Sequence, residues 1–294
     1  MWRTTASLTL LSLLVQLAQL ALQLLVARLY GTSAEVDAYV AAMTAPALLS
    51  TFLLAAGSPL AVASLSREWA KGPEDYARAR DSLGLVVFVL CALFALLVGA
   101  FPRPVLGVLV PGLSGQALAI APLYTRWGAL SLLPGALSAY LTSAHHVRQK
   151  FLAPAAAGVT ASAVALGGFL VVHPSWGIEG LVICQFAAAL LSAFWLASSE
   201  YKAVRWIWSR AHPVLAEVGG LFLPVVVSTA ASRVNMAVDR FFASFLPTGN
   251  LAVLHYADRW VTFSQAVLSL PLVAVLYTRM ARAHAHPEKS ARAG

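Results

Sequence analysis

The stretch SLGLVVFVLCALFALLVGAF, residues 82–101, decides the fold class, because it contains no charged side chain. An α-helix needs about 20 consecutive apolar residues to cross the hydrocarbon core of a bilayer. Similar apolar runs recur along the chain, at 7–29, 38–65, 117–141, 154–172, 178–199, 214–246 and 251–281. The pattern predicts an all-α polytopic membrane protein with about eight transmembrane helices.

The composition excludes a large soluble domain. Hydrophobic residues make up 60% of the 294 positions and charged residues 11%, whereas a soluble domain carries about 25% charged residues. The sequence contains no P-loop, no glycine-rich dinucleotide turn and no nucleophile elbow. We therefore expect no enzyme and no bound cofactor. An ion gradient, the membrane potential or a substrate gradient would supply the energy for any transport.

The basic residues predict the orientation, because lysine and arginine accumulate in cytoplasmic loops. Most of the 20 lysines and arginines fall on one side of the predicted spans: Arg3, Arg67, Lys71, Arg78, Arg80, Arg148, Lys150, Lys202, Arg205, Arg210, Arg279, Arg282, Lys289 and Arg292. Arg28, Arg103 and Arg240 fall on the other side. Both termini are thus predicted to be cytoplasmic. The basic loops are short and carry no nucleic-acid-binding motif, so we expect no nucleic-acid partner.

Ionisable side chains inside predicted spans are costly and often mark a substrate pathway or an ion pair. Arg126, Arg233 and Arg259 lie inside spans, with Asp258 beside the last of them. The arginines outnumber the acids at comparable depth. Because arginine matches phosphate oxygens with a planar fork of donors, this excess suits an anionic substrate.

The first span carries three glutamines, Gln16, Gln19 and Gln23, at spacings of three and four residues. This spacing places them on one face of a helix. Such a face can border an aqueous cavity, or it can form hydrogen bonds between packed membrane helices. Both interpretations stay open at the level of sequence.

Two stretches carry a resemblance to a known family. ARLYGTSAEVDAYVAAMTAPALLS, residues 27–50, and FFASFLPTGNLAVLHYADRWVTF, residues 241–263, resemble the MurJ/MviN lipid II flippases. This family belongs to the multidrug/oligosaccharidyl-lipid/polysaccharide exporter superfamily. The spacing of the predicted spans also fits, so the resemblance covers nearly the whole chain.

The resemblance implies two bundles of six helices around a central cavity, followed by two trailing helices. Residues 1–200 would form the first bundle, 201–213 a cytoplasmic linker, 214–283 the first two helices of the second bundle, and 284–294 a polar cytoplasmic tail. The chain would then correspond to a truncated product, a fragment or half of a split transporter. A missing C-terminal half or a second copy of the chain would complete it.

The resemblance also implies a function and a site. The family moves a lipid-linked peptidoglycan precursor, undecaprenyl-diphosphate-linked lipid II, across the bacterial inner membrane from the cytoplasmic to the outer leaflet. Asp37, Arg126, Asp258 and Arg259 match family positions. Asp239 matches a position that contributes to a sodium site in some members, so coupling to sodium or to the membrane potential is the implied energy source. The implied headgroup site comprises Arg259, Arg126, Arg233, Asp258, Asp37, Gln16 and Gln23.

The chain departs from the family at several cavity positions. Gln16, Leu22 and Gln23 stand where the first helix of the family carries an arginine and then an Arg–Asp pair. Ser50 and Thr51 stand where its second helix carries arginines. Much of the cationic cavity is therefore replaced. Alternatives to lipid II transport are export of another polysaccharide or a drug, and a non-transporting membrane partner of a cell-envelope complex.

Overall fold

The computed structural model describes residues 2–201 and 212–265, and it contains no strand in these two ranges. Nine helices follow one another there: α1 (Trp2–Tyr30), α2 (Ala34–Ala42), α3 (Thr44–Lys71), α4 (Pro73–Ala100), α5 (Pro102–Leu109), α6 (Gly115–Val147), α7 (Leu152–Tyr201), α8 (Val214–Ala243) and α9 (Asn250–Ser264). The predicted all-α class is confirmed. Most of the predicted linker, the end of the last predicted span and the predicted tail lie outside the described residues.

The outer surface of the helices is apolar. Leu96, Val171 and Phe194 are 69%, 78% and 73% exposed, which suits a lipid environment and would promote aggregation in water. Within the described ranges, three segments are long and apolar enough to cross a membrane: Ser7–Tyr30, Pro73–Ala100 and Leu152–Tyr201. The third segment contains two helices, as described below. The number of eight crossings stays a prediction.

The predicted span 38–65 is divided into two helices at Met43. Helix α2 ends at Ala42 and α3 begins at Thr44. Pro46 has no backbone N–H, so it cannot donate to the carbonyl of Ala42 and continue the hydrogen-bond ladder. The Thr44 hydroxyl donates instead to the carbonyl of Val40 at 3.0 Å. Local proline chemistry therefore interrupts a run that is continuous in hydropathy.

Helix α5 was not among the predicted elements, because it occupies a segment read as a loop between two spans. Pro102 begins it, and proline is favoured in the first turn of a helix, where its missing N–H costs no hydrogen bond. Leu106 is 2% exposed and packs into the main core cluster. The helix is short and lies against the bundle, a property that hydropathy over a long window does not detect.

Helix α7 is a hairpin of two helices joined at Gly177. The backbone there has φ 56° and ψ −142°, a conformation that favours glycine. A methyl group added to Gly180 would meet Val172, and one added to Gly168 would meet Cys184. In each pair, the glycine and its neighbour lie on opposite sides of the turn in sequence. The two halves of α7 therefore pack antiparallel against each other. The turn falls in the gap between the predicted spans 154–172 and 178–199.

The helices pack in a way that brings distant parts of the chain together. Helix α6 contacts α2, α3, α4 and α7, while α1 packs against α7 and α9. Helix α8 packs mainly against α3, and α9 packs against α2 and α1. Residues from α1, α6, α7 and α9 consequently face one another, and these four helices enclose the candidate site.

Candidate functional site

A cavity of about 380 Å³ lies between α1, α6, α7 and α9. Its polar side chains are amides and hydroxyls together with one guanidinium: Gln19, Gln23, Ser138, Ser162, Gln185, Ser192 and Arg259. A smaller pocket beside it is lined by Gln16, Gln19, Gln23 and Arg259, among others. The structure therefore brings the glutamine face of α1 together with Arg259 of α9.

Arg259 is the cation of this cavity. It is half-buried, and no hydrogen bond or ion pair holds its guanidinium among the residues described. Asp258 and Arg240 are close enough to influence one another electrostatically, and Arg259 interacts with both. Asp239 also acts on Asp258, so two arginines and two acids lie near one another here, and Arg259 is the arginine that lines the cavity.

The glutamines of α1 combine the two roles that the sequence left open. Gln23 is 8% exposed, and its amide oxygen lies 3.1 Å from Nε2 of His255, which links α1 to α9. Gln19 is exposed and lines the cavity. One residue of the face therefore connects helices, while another remains open to a ligand.

His255 belongs to a polar network that sequence reasoning missed. Its ring packs edge-on against Tyr39 with 6.2 Å between centroids. The Tyr39 hydroxyl accepts a hydrogen bond from the Gln185 amide at 2.9 Å and also lies 3.2 Å from the amide oxygen. The network thus connects α2, α7 and α9 at one wall of the cavity. The three residues are far apart in sequence, so their spacing gives no sign of the network.

Arg240 is also buried, although the sequence placed it on the outer side of the membrane. It is 7% exposed, and its guanidinium donates to the Thr44 hydroxyl at 3.1 Å. This contact joins α8 to the start of α3. In the sequence, a lone arginine near the end of an apolar run looks like a charge at the membrane surface. Only the fold shows that its side chain points into the bundle.

Asp37 has a structural role away from the Arg259 cavity. Its carboxylate accepts hydrogen bonds from the backbone N–H groups of Gly249 and Ala252, the latter at 2.8 Å. These groups stand at the first turn of α9, where the N–H groups lack partners within the helix. Gly249 has φ 100°, and an added methyl group would lie 2.8 Å from the carbonyl oxygen of Thr32. Asp37 therefore caps α9 and ties it to α2.

Arg126 does not join Arg259 in the structure. It is exposed on α6 and lines a separate cavity of about 550 Å³ with Arg103 of α5. Asp239 is exposed on α8 and accepts a hydrogen bond from the Asn235 amide at 3.4 Å. Arg233 lies in α8, but its side chain falls outside the described residues. Across the described part of the chain, no group of three or more histidine, cysteine, aspartate or glutamate side chains could hold a metal ion.

A second buried polar cluster lies at the end of the bundle where α3 meets α4. Glu200 is fully buried, and its carboxylate lies 2.8 Å from the Arg148 guanidinium and 3.4 Å from that of Arg80. The Tyr76 hydroxyl donates to the same carboxylate at 2.9 Å. Arg80 is also fully buried and contacts Asp81 at 2.8 Å. The sequence places Arg80 and Arg148 on the basic side of the predicted spans, and in the fold both residues join α4, α6 and α7 through Glu200.

Comparison with known proteins shows to which family the chain belongs. The family model "Lipid II flippase MurJ" matches residues 26–293. The chain belongs to the MurJ family. A lipid II flippase MurJ of Burkholderia cenocepacia is 22% identical over 96% of the chain, and a probable lipid II flippase MurJ of Vibrio cholerae is 29% identical over 36% of it.

Solved structures agree with this placement at the level of the fold. A lipid II flippase MurJ in an inward closed conformation superposes with a TM-score of 0.81 at 20% identity, over 94% of this chain and 59% of the other. An inward-facing multidrug resistance MATE family transporter of the MOP superfamily gives 0.66 at 15% identity, over 95% of this chain and 67% of the other. The predicted family is confirmed by the family model, which describes a lipid flippase family and not an enzyme family, and the solved structures agree with its fold.

The match covers only part of its relatives. The chain spans 56% of the Burkholderia protein and 21% of the Vibrio protein within the aligned regions. Of the residues that the family resemblance implied for the site, Arg259 lines the cavity in this chain, whereas Arg126 and Asp37 do not. Family membership therefore fixes the fold, and the cavity of this chain must be interpreted from its own residues.

Proposed function

We propose that the chain takes part in moving a lipid-linked oligosaccharide, of the lipid II type, from the inner to the outer leaflet of the bacterial inner membrane. The observation that supports this proposal is the half-buried guanidinium of Arg259 at one end of a polar cavity between α1, α6, α7 and α9. A diphosphate needs charged donors, and a free guanidinium provides two parallel N–H groups for its oxygens. The prenyl chain would remain in lipid beside the cavity.

The neutral part of the cavity suits the sugars of the same headgroup. Gln19, Gln185 and Ser192 offer amide and hydroxyl groups that both donate and accept hydrogen bonds, as sugar hydroxyls do. The departures noted in the sequence leave one guanidinium, that of Arg259, among the described cavity residues. Recognition would therefore depend on Arg259 for charge and on uncharged groups for the glycan.

Transport itself would need a second body. Alternating access places the substrate between two bodies that open in turn to opposite sides. Helices α1 to α7 would form the first body. Helices α8 and α9 would belong to the second body and carry the side chains that face the first. We propose that a C-terminal set of helices or a second copy of the chain completes the cavity, with sodium or the membrane potential as the driving force.

Substitution of Arg259 tests the role of the cavity. In purified protein, Arg259→Ala should weaken binding of a prenyl-diphosphate disaccharide by about tenfold or more, because charge-assisted hydrogen bonds are lost. Arg259→Lys should recover part of the binding, since lysine offers a point charge without the planar fork. Binding can be measured by native mass spectrometry.

Arg78→Ala is the matched control, because Arg78 is exposed and pairs with Glu74 one helical turn away. It should bind the disaccharide as the unchanged protein does. Equal binding by Arg259→Ala and the unchanged protein would contradict the proposal. It would then favour the alternative of a membrane partner that keeps the fold without carrying substrate.

A further inference from the structure

A second cavity opens on the outside of the bundle where α4, α5 and α6 meet. It measures about 550 Å³ and is lined by Phe101, Arg103, Pro104, Pro122, Leu123 and Arg126, together with small residues. Its two charged lining residues are both arginines, and no acid lines it. It shares no lining residue with the cavity of Arg259.

Both arginines have unused donors. Neither guanidinium makes an ion pair or a side-chain hydrogen bond with any residue in the described ranges, and both side chains are exposed. Arg126 lies eleven positions beyond Gly115, which begins α6, so it stands about 16 Å along that helix at a rise of 1.5 Å per residue. An arginine this far into a membrane helix is unfavourable unless an anion or water neutralises it.

The walls of this cavity are apolar and face outward. Phe101 is 57% exposed and Leu123 is 43% exposed, and Val108 on the adjoining helix α5 is 73% exposed. A small free anion such as inorganic phosphate would satisfy the arginines but leave these side chains uncovered. A ligand with a phosphate and hydrocarbon chains would satisfy both parts of the surface.

Prolines from both α5 and α6 line the cavity. Pro102 and Pro104 stand in the first turn of α5, and Pro122 interrupts the hydrogen-bond ladder of α6 on the same side. Their rings add apolar surface without adding donors that would compete for a phosphate. The two arginines therefore supply the polar contacts on which a lipid headgroup would depend.

We propose that this cavity binds an anionic phospholipid of the surrounding leaflet, with its phosphate between Arg103 and Arg126 and its acyl chains against Phe101 and Leu123. The assignment is independent of the transported substrate, because it rests on a different cavity. It gives Arg126 a role in holding membrane lipid in place of the role in headgroup transport that the family resemblance implied.

Lipid retention on the purified full chain tests the proposal. Delipidated protein is titrated with phosphatidylglycerol or phosphatidylcholine, and bound lipids are counted by native mass spectrometry. The unchanged protein should bind one phosphatidylglycerol more tightly than phosphatidylcholine. The double variant Arg103→Gln, Arg126→Gln should lose this preference, with phosphatidylglycerol affinity reduced by about tenfold for each charge-assisted contact removed. Arg126→Lys should keep an intermediate preference, which separates lost charge from a misfolded protein.

Two controls define the site. Arg28→Gln removes another exposed arginine, from the last turn of α1, and should leave phosphatidylglycerol binding unchanged. Arg259→Gln should also leave it unchanged, since that residue lines the other cavity. Unchanged phosphatidylglycerol binding by the double variant would overturn the proposal. If that variant also loses binding of a prenyl diphosphate, the two arginines belong to the substrate path.

Discussion

The carboxylate of Asp37 matters at the scale of a single residue, because it fixes where α9 begins. Both of its oxygens accept backbone N–H groups from the first turn of that helix. Asp37→Ala should lower the stability of the folded protein by about 1–2 kcal/mol, the usual cost of losing a helix cap. Thermal unfolding in detergent, followed by circular dichroism, measures the change.

Glu35→Ala provides the comparison for Asp37, since Glu35 lies on the same helix two residues earlier and makes no hydrogen bond to α9. It should unfold at nearly the temperature of the unchanged protein. If both variants unfold at the same temperature, the bonds from Asp37 to Gly249 and Ala252 do not hold α9 in place.

Glu200 acts at the scale of elements, because its buried carboxylate joins α4, α6 and α7 through Arg80 and Arg148. Glu200→Ala should destabilise the protein by about 3–5 kcal/mol, since it leaves two buried guanidinium groups without their common partner. Glu74→Ala, which removes an exposed acid of a surface pair, should change stability little. Urea unfolding of both variants in mild detergent compares them, and equal midpoints would show that the buried cluster does not stabilise the fold.

Hydropathy predicts a helix well where the only requirement is that the helix be long enough to cross the membrane. Residues 82–100 fall within α4 as expected, because lipid requires a continuous helix there, and Phe101 is the residue at its C-terminal cap. The break at Met43 and the short helix α5 could not be predicted in this way. Pro46 ends one ladder, and Leu106 is buried only because α5 lies against the bundle.

The candidate site could likewise be predicted from the sequence only in part. The glutamine face of α1 could be predicted from its spacing, and Arg259 from its position inside an apolar run. Their meeting in one cavity depends on the packing of α9 against α1, which no local pattern records. The inward turn of Arg240 and the separate location of Arg126 likewise follow from helix packing.

The whole molecule should cross the membrane with both termini in the cytoplasm, as the distribution of basic residues predicts. Single cysteines at Lys71 and Arg205 should resist an impermeant thiol reagent added outside intact cells, and one at Thr248 should react. Thr248 lies in the exposed turn between α8 and α9, opposite in the bundle to the end of α3. Labelling at Lys71 from outside would contradict this topology.

A second expectation at this scale concerns transport by the chain alone. Asp239 is exposed on α8, and a charged side chain that faces lipid is unfavourable, so this side of the molecule suits a protein neighbour better than lipid alone. We expect the purified chain to self-associate or to require a partner. Reconstituted alone at high dilution in liposomes, it should not move a fluorescent lipid-linked sugar between leaflets, and movement by a stable monomer would show that one body suffices.

The buried arginines at the end of the bundle also bear on how the protein reaches the membrane. The charge of Arg80 and Arg148 acts on the orientation of the chain while it is being inserted. Only afterwards does packing bring Glu200 between them. We therefore expect these two residues to act first in membrane insertion and later in the folded bundle. Replacing Glu200 should leave the inserted orientation unchanged while weakening the finished bundle, which separates the two stages in time.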